Sequence, residues 1–128
     1  MHIDHIAIWT TDIERMKNFY STHFGCKASA RYDNRQKQFS SYFLTFGSGA
    51  RIEIMQRVDV TEVVGKESIG LAHFAVTVGT AQQVDLLTQK MEEAGVTVAS
   101  YPRTTGDGYY ESVVLDPDGN RIELTAAR

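Results

Sequence analysis

Apolar and polar positions along this chain follow two periodicities, and the same order of elements appears twice. Residues 3–9 (Ile-Asp-His-Ile-Ala-Ile-Trp) are rich in branched and aromatic side chains and predict a strand. Thr11-Asp12-Ile13-Glu14 has the spacing of a capping box, and Ile13, Met16, Tyr20 and Phe24 continue it as a helical stripe ending at Gly25. Three alternating stretches follow at about 27–33, 39–46 and 51–57, the last two separated by the turn Gly47-Ser48-Gly49. Residues 58–70 are polar with two glycines and read as a linker. The order then returns. Leu71–Val78 predicts a strand, Thr80-Ala81-Gln82-Gln83 a second capping box, and Val84, Leu87, Met91 and Ala94 a helical stripe closed by Gly95. Further strands are predicted at about 96–101, 109–115 and 121–126, the last pair joined by the tight turn Asp116-Pro117-Asp118-Gly119.

The chain therefore reads strand, helix and three strands, twice over. The offset between equivalent points is steady: His5 to His73 is 68 positions, while Gly25 to Gly95 and Glu53 to Glu123 are each 70. Arg51-Ile52-Glu53-Ile54 returns as Arg121-Ile122-Glu123-Leu124. The expected organisation is a single domain over 1–128, made of a module 1–57, the linker 58–70 and a module 71–128. A four-stranded half of about 60 residues is marginal alone, so the halves are expected to pack together.

Strand parity then singles out four side chains, because alternate residues face opposite sides of a sheet. His5, Ala7 and Trp9 oppose Ile6 and Ile8; His73, Ala75 and Thr77 oppose Phe74, Val76 and Val78; Glu53 and Glu123 oppose the isoleucine and leucine neighbours on their strands. The apolar faces suit burial under each module's own helix. That leaves one His and one Glu per module on the other face. Taken singly, each is better read as an ordinary core or surface residue. Their joint recurrence points instead to a mononuclear divalent metal site. Imidazole suits Zn, Ni, Co or Fe, and carboxylates extend the range toward Mn and Fe. Four protein ligands on an octahedral ion leave two adjacent positions for substrate oxygens, and either Glu could serve as a base.

These residues, with Asp12 and Phe19-Tyr20 in the first half and Phe74-Ala75-Val76 and Asp116-Pro117-Asp118-Gly119-Asn120 in the second, resemble the glyoxalase/bleomycin-resistance/extradiol-dioxygenase superfamily, also called vicinal oxygen chelate proteins. The resemblance spans nearly the whole chain. It implies an α+β fold of two tandem βαβββ modules forming a curled, cup-like mixed sheet with helices on its outer face. The ligand pattern is similar to that of glyoxalase I, which implies His5, Glu53, His73 and Glu123 as metal ligands. It implies Glu53 and Glu123 as the acid/base pair working through a cis-enediolate. One divalent ion per site, Zn or Ni first, with Fe, Mn or Co as alternatives, is the implied cofactor. Glyoxalase I carries an arginine and an asparagine for glutathione where this sequence has Trp9 and Arg57. Trp9, Arg57, Arg103 and Tyr110 are the candidate substrate-binding residues. Two other functions stand beside a lyase or isomerase: a metal-independent drug-binding resistance protein, and an extradiol-type dioxygenase.

Composition narrows the rest. The 128 residues carry 13 Lys+Arg against 16 Asp+Glu, a net charge of −3, which gives no electrostatic footprint for nucleic acid. Cys26 is the only cysteine, so no disulfide framework exists within the chain. No apolar run approaches a membrane span, and residues 1–5 lack the pattern of a signal peptide, so a cytoplasmic protein is expected. The expected partners are a small-molecule substrate and a second copy in a homodimer. The Asp116 turn lacks the spacing of a calcium loop, the Gly47 turn lacks a phosphate-loop lysine, and Cys26 has no evident activating neighbour.

Overall fold

The computed structural model describes residues 1–65 and 67–128, which form two compact units, Met1–Val63 and Val64–Arg128. The fold is α+β, and each unit combines one helix with one curled, unclosed mixed sheet. In the first unit the order is β1 (His5–Trp9), α1 (Ile13–Phe24), β2 (Lys27–Ala28), β3 (Tyr32–Asn34), β4 (Phe39–Thr45) and β5 (Arg51–Arg57). Its sheet runs β1-β5-β4-β2, with β3 also on β4, and only β1 and β5 are parallel. The second unit contains β6 (Phe74–Gly79), α2 (Ala81–Glu93), β7 (Val98–Thr104), β8 (Tyr110–Leu115) and β9 (Arg121–Ala126), ordered β6-β9-β8-β7 with β6 and β9 parallel.

The single strand expected over 27–33 is instead two short pieces. Ser29 explains the break: its hydroxyl, rather than a backbone carbonyl, accepts from the Phe43 amide at 2.9 Å, so the ladder is interrupted there. The described residues of 58–70 form no helix or strand, and residue 66 of that linker lies outside the described residues.

Helix α1 starts one residue later than the Thr11 box implies. Asp12 is the N-cap, with its carboxylate accepting from the Arg15 amide at 3.0 Å. Glu14, the expected partner in the box, is drawn to Tyr42, Lys17 and Arg31 instead. At the other end Gly25 adopts φ 65°, a left-handed conformation that costs a residue with a Cβ roughly 1–2 kcal/mol. Helix α2 does have the capping box expected at Thr80 and Gln83. It closes in a Schellman pair, Val96 N–H to Met91 C=O and Gly95 N–H to Glu92 C=O, both at 2.9 Å.

Each helix covers one face of its own sheet. Ile13, Met16, Phe19 and Tyr20 of α1 are buried along with Ile8, Leu44, Ile52 and Ile54 of the sheet. Val84, Thr88 and Met91 of α2 are buried along with Ser112, Val114, Ile122 and Leu124. Fully burying one such aliphatic side chain stabilises by about 1.5–3 kcal/mol. This arrangement sets the parity of everything else, since the alternate residues of β1, β5, β6, β8 and β9 must face away from the helix.

Candidate functional site

In the first unit the parallel register pairs His5 with Arg51 and Ala7 with Glu53, so His5 and Glu53 share the face away from α1. His5 Nε2 lies 3.6 Å from Glu53 Oε2. In the second unit Ala75 pairs with Glu123, and His73 directly precedes β6. His73 Nε2 lies 3.1 Å from Glu123 Oε1. The fold therefore brings together, within each unit, the His and Glu that parity had selected. Both carboxylates are mostly buried, with side chains 17% and 18% exposed. Among the described residues, no group of three or more potential metal-binding side chains is gathered.

The spacing within each pair suits two ligands of one ion. Donors at about 2.0–2.2 Å from a metal, subtending about 90–110°, lie roughly 2.8–3.6 Å apart. The imidazole nitrogen and carboxylate oxygen are also a chemically ordinary donor set for Zn, Ni, Co or Fe.

The surroundings of the two pairs differ. His5 Nδ1 is 2.7 Å from Asp4 Oδ2, which also accepts from the Arg51 guanidinium at 2.6 Å. These two donors, His5 first and Arg51 second, hold the Asp4 carboxyl below its ordinary pKa. The Phe43 ring meets the His5 ring edge-on at 5.1 Å and lies under the Arg51 guanidinium at 4.5 Å. At His73 the preceding residue is Ala72, and Arg121, the counterpart of Arg51, reaches Glu67 at 2.6 Å.

Trp9 and Arg57 come together on the face that carries His5 and Glu53. The Arg57 guanidinium sits 5.0 Å over the Trp9 ring, Phe39 meets that ring edge-on, and Asp59 binds the Arg57 Nε. The guanidinium is thus held by the face of the Trp9 ring and by one carboxylate. Arg103 pairs in register with Glu111 and lies 3.6 Å from its carboxylate. Tyr110 is placed differently. Its hydroxyl donates to Asp85 of α2 at 2.6 Å, so it lies on the helix side of the sheet and does not share the face of His73 and Glu123.

Two residues carry more than the sequence pattern assigned them. Asp4 was one of several acidic residues, and its only local signal is adjacency to His5. Glu111 lies in sequence just after the glycine-containing stretch 104–108. It pairs with Thr125 one step from the Val113–Glu123 pair, on the face away from α2, and is only 7% exposed. Burial raises its pKa first, and the nearby Glu123 charge adds to that.

Comparison with known proteins identifies the family and the fold. The family model described as Glyoxalase/Bleomycin resistance protein/Dioxygenase superfamily matches residues 2–124, and the chain belongs to that superfamily. A lactoylglutathione lyase of Arabidopsis thaliana is 30% identical over 125 residues, covering 94% of this chain and 42% of that protein. A glutathione transferase, FosA, of Serratia marcescens is 25% identical over 122 residues, covering 95% of this chain and 78% of its own length. The chain thus spans about two-fifths of the length of the plant lyase. Among solved structures, the trypanothione-dependent glyoxalase I of Leishmania major has a TM-score of 0.79 at 26% identity, covering 98% of this chain and 86% of that one. A glyoxylase/bleomycin resistance protein/dioxygenase domain from Frankia sp. EAN1pec has a TM-score of 0.86 at 16% identity, covering 100% and 93%, which shows the shared fold. No helix among the described residues is long and apolar enough to cross a membrane.

Proposed function

We propose that the protein is a divalent-metal-dependent lyase or isomerase of the glyoxalase type, acting on a small α-oxo or hemithioacetal substrate. The observation that carries this reading is the repeat of one His–Glu pair per unit, each at ligand spacing on the face away from its helix. His5, Glu53, His73 and Glu123 would hold the ion, Zn or Ni by preference. When bound, that ion supplies Lewis acidity toward neighbouring substrate oxygens, which acidifies the adjacent C–H.

The chain's own residues do the remaining work. Glu53 and Glu123 are the acid/base candidates that take the proton from one carbon and return it to the next. Their low exposure limits exchange of that proton with water. Arg57, held over the Trp9 ring, offers its fork to an anionic group of the substrate, and Arg103 offers a second cation on the other unit. The arginine-for-asparagine and tryptophan-for-arginine exchanges favour a thiol or anion other than glutathione.

The test is metal analysis of protein purified without added metal and then reloaded, followed by a screen of methylglyoxal with several thiols. One divalent ion per chain is expected, with loss of metal in His5→Ala and Glu123→Ala. Absence of metal from the wild type and both variants alike refutes the proposal.

A further inference from the structure

The face of the first unit that carries Glu53 continues past it into a cluster of aromatic rings. Trp9 pairs in register with Met55, Met55 with Ser41, and Ser41 with Tyr32, so these four side chains form one row across β1, β5, β4 and β3. Arg57, Phe39 and Asn34 make the next row on the same face. Phe39 links the two ends of the first row: its ring lies 6.2 Å from that of Trp9 and 6.1 Å from that of Tyr32, edge-on to both. Trp9 is 40% exposed and Tyr32 54%, while Phe39 is half-buried. A lone exposed aromatic is ordinary on a protein surface, whereas contiguous ones mark a place where something is bound. Arg57 supplies the polar element. Its guanidinium lies over Trp9, Asp59 takes Nε, and among the described residues nothing engages Nη1 or Nη2. That end of the fork matches the two oxygens of a carboxylate.

We propose that this cluster is a subsite for an aromatic carboxylate, so that the substrate carries a ring and an acid group beyond its α-oxo or hemithioacetal end. The inference rests on the reading of Arg57 given above and deepens it: the ring of the substrate lies against Trp9, Phe39 and Tyr32 while its carboxylate meets Arg57. Aromatic rings gain from offset or edge-on packing against one another, which an alkyl chain lacks. The spacing along β5 agrees. Glu53 and Arg57 share one face with Met55 between them, and four residues of extended strand span about 13 Å. The two side chains take up part of that length, and one ring fills the remainder between the carbon facing Glu53 and the acid group facing Arg57.

Trp9 is the only tryptophan in the chain, so tryptophan emission reports on this cluster alone. Metal-stripped full-length protein is titrated with benzoate, benzamide and acetate, and equilibrium dialysis of labelled benzoate catches binding that leaves the emission unchanged. Benzoate is expected to bind about tenfold more tightly than either of the others, which lack the charge or the ring. Arg57→Gln should erase the preference for benzoate over benzamide, and Phe39→Leu should narrow the preference for benzoate over acetate. Thermal unfolding identifies a variant that has lost its fold, and the wild-type ranking decides without it. Benzoate bound no more tightly than acetate or benzamide overturns the proposal, as does a folded variant that keeps the wild-type preference its substitution should remove. The titration needs no metal, so the two failures separate. A wild type that takes up no metal but ranks the ligands as expected refutes the lyase reading and leaves the subsite standing. One that takes up metal but ignores benzoate refutes the subsite alone.

Discussion

The contact between α2 and β8 includes a buried pair of hydroxyls. Thr88 Oγ1 donates to the Val84 carbonyl at 2.6 Å and meets Ser112 Oγ at 2.7 Å, and the two residues are 2% and 0% exposed. Ser112 sits directly beside Glu111, so this contact also sets the strand that carries Glu111. Replacing Thr88 by Val keeps the shape but strands the Ser112 hydroxyl, which has no other partner among the described residues. Leaving a buried hydroxyl unsatisfied costs about 1–3 kcal/mol. Ser112→Ala removes the same contact without creating an orphan, because Thr88 keeps Val84, so its cost is about 0.5–1.5 kcal/mol. The double variant has no stranded group and should be roughly as stable as Ser112→Ala alone. Urea unfolding of the four proteins at one pH gives the cycle, and the expected coupling equals the cost of Thr88→Val alone, about 1–3 kcal/mol. Additive costs, or a Ser112→Ala variant less stable than Thr88→Val, would refute the reasoning.

Two further outcomes follow from single side chains. Glu111 has a pKa raised in the folded state, so between its ordinary value and the raised one the native protein binds more protons than the unfolded chain. Its favourable contribution is complete below the ordinary value and is lost as pH rises through the folded one. Glu111→Gln should accordingly be more stable than wild type at pH 7, with the difference vanishing near pH 4; chemical unfolding across that range checks it, and a less stable variant at pH 7 contradicts it. Burial pushes the Cys26 thiol up to about 11, so the native protein should resist a thiol reagent at pH 8 and react fully once unfolded. Fast native-state labelling would show that the thiol is reachable.

Much of the fold was readable because periodicity is a local property. The parity of Ile6 and Ile8 against His5, and of Ile52 and Ile54 against Glu53, needs only neighbouring residues to be recognised. The helix ends at Gly25 and Gly95 and the capping box at Thr80 are equally local. The start of α1 was not, since Glu14 is taken from the Thr11 box by Tyr42, 28 residues away. Tyr110 was misleading for a related reason. In Tyr110–Leu115 both alternating sets contain apolar residues, so the pattern does not say which set faces α2, and the Asp85 hydrogen bond decides it.

By itself, the sequence pointed to two similar halves, to most of the elements each half holds, and to one His and one Glu per half on the side opposite the apolar stripe. Only the tertiary structure decided which atoms meet. The register of β1 on β5 sets Ala7 against Glu53 across 46 positions, and that register comes from backbone hydrogen bonds between distant segments. The same is true of the difference between the two histidines. Asp4 can hold His5 because Arg51, brought alongside by the parallel pairing, holds Asp4, whereas the matching arginine of the second copy turns to Glu67. A repeat in sequence preserves side-chain parity, but the partners behind each side chain are supplied by long-range contacts that the repeat does not copy.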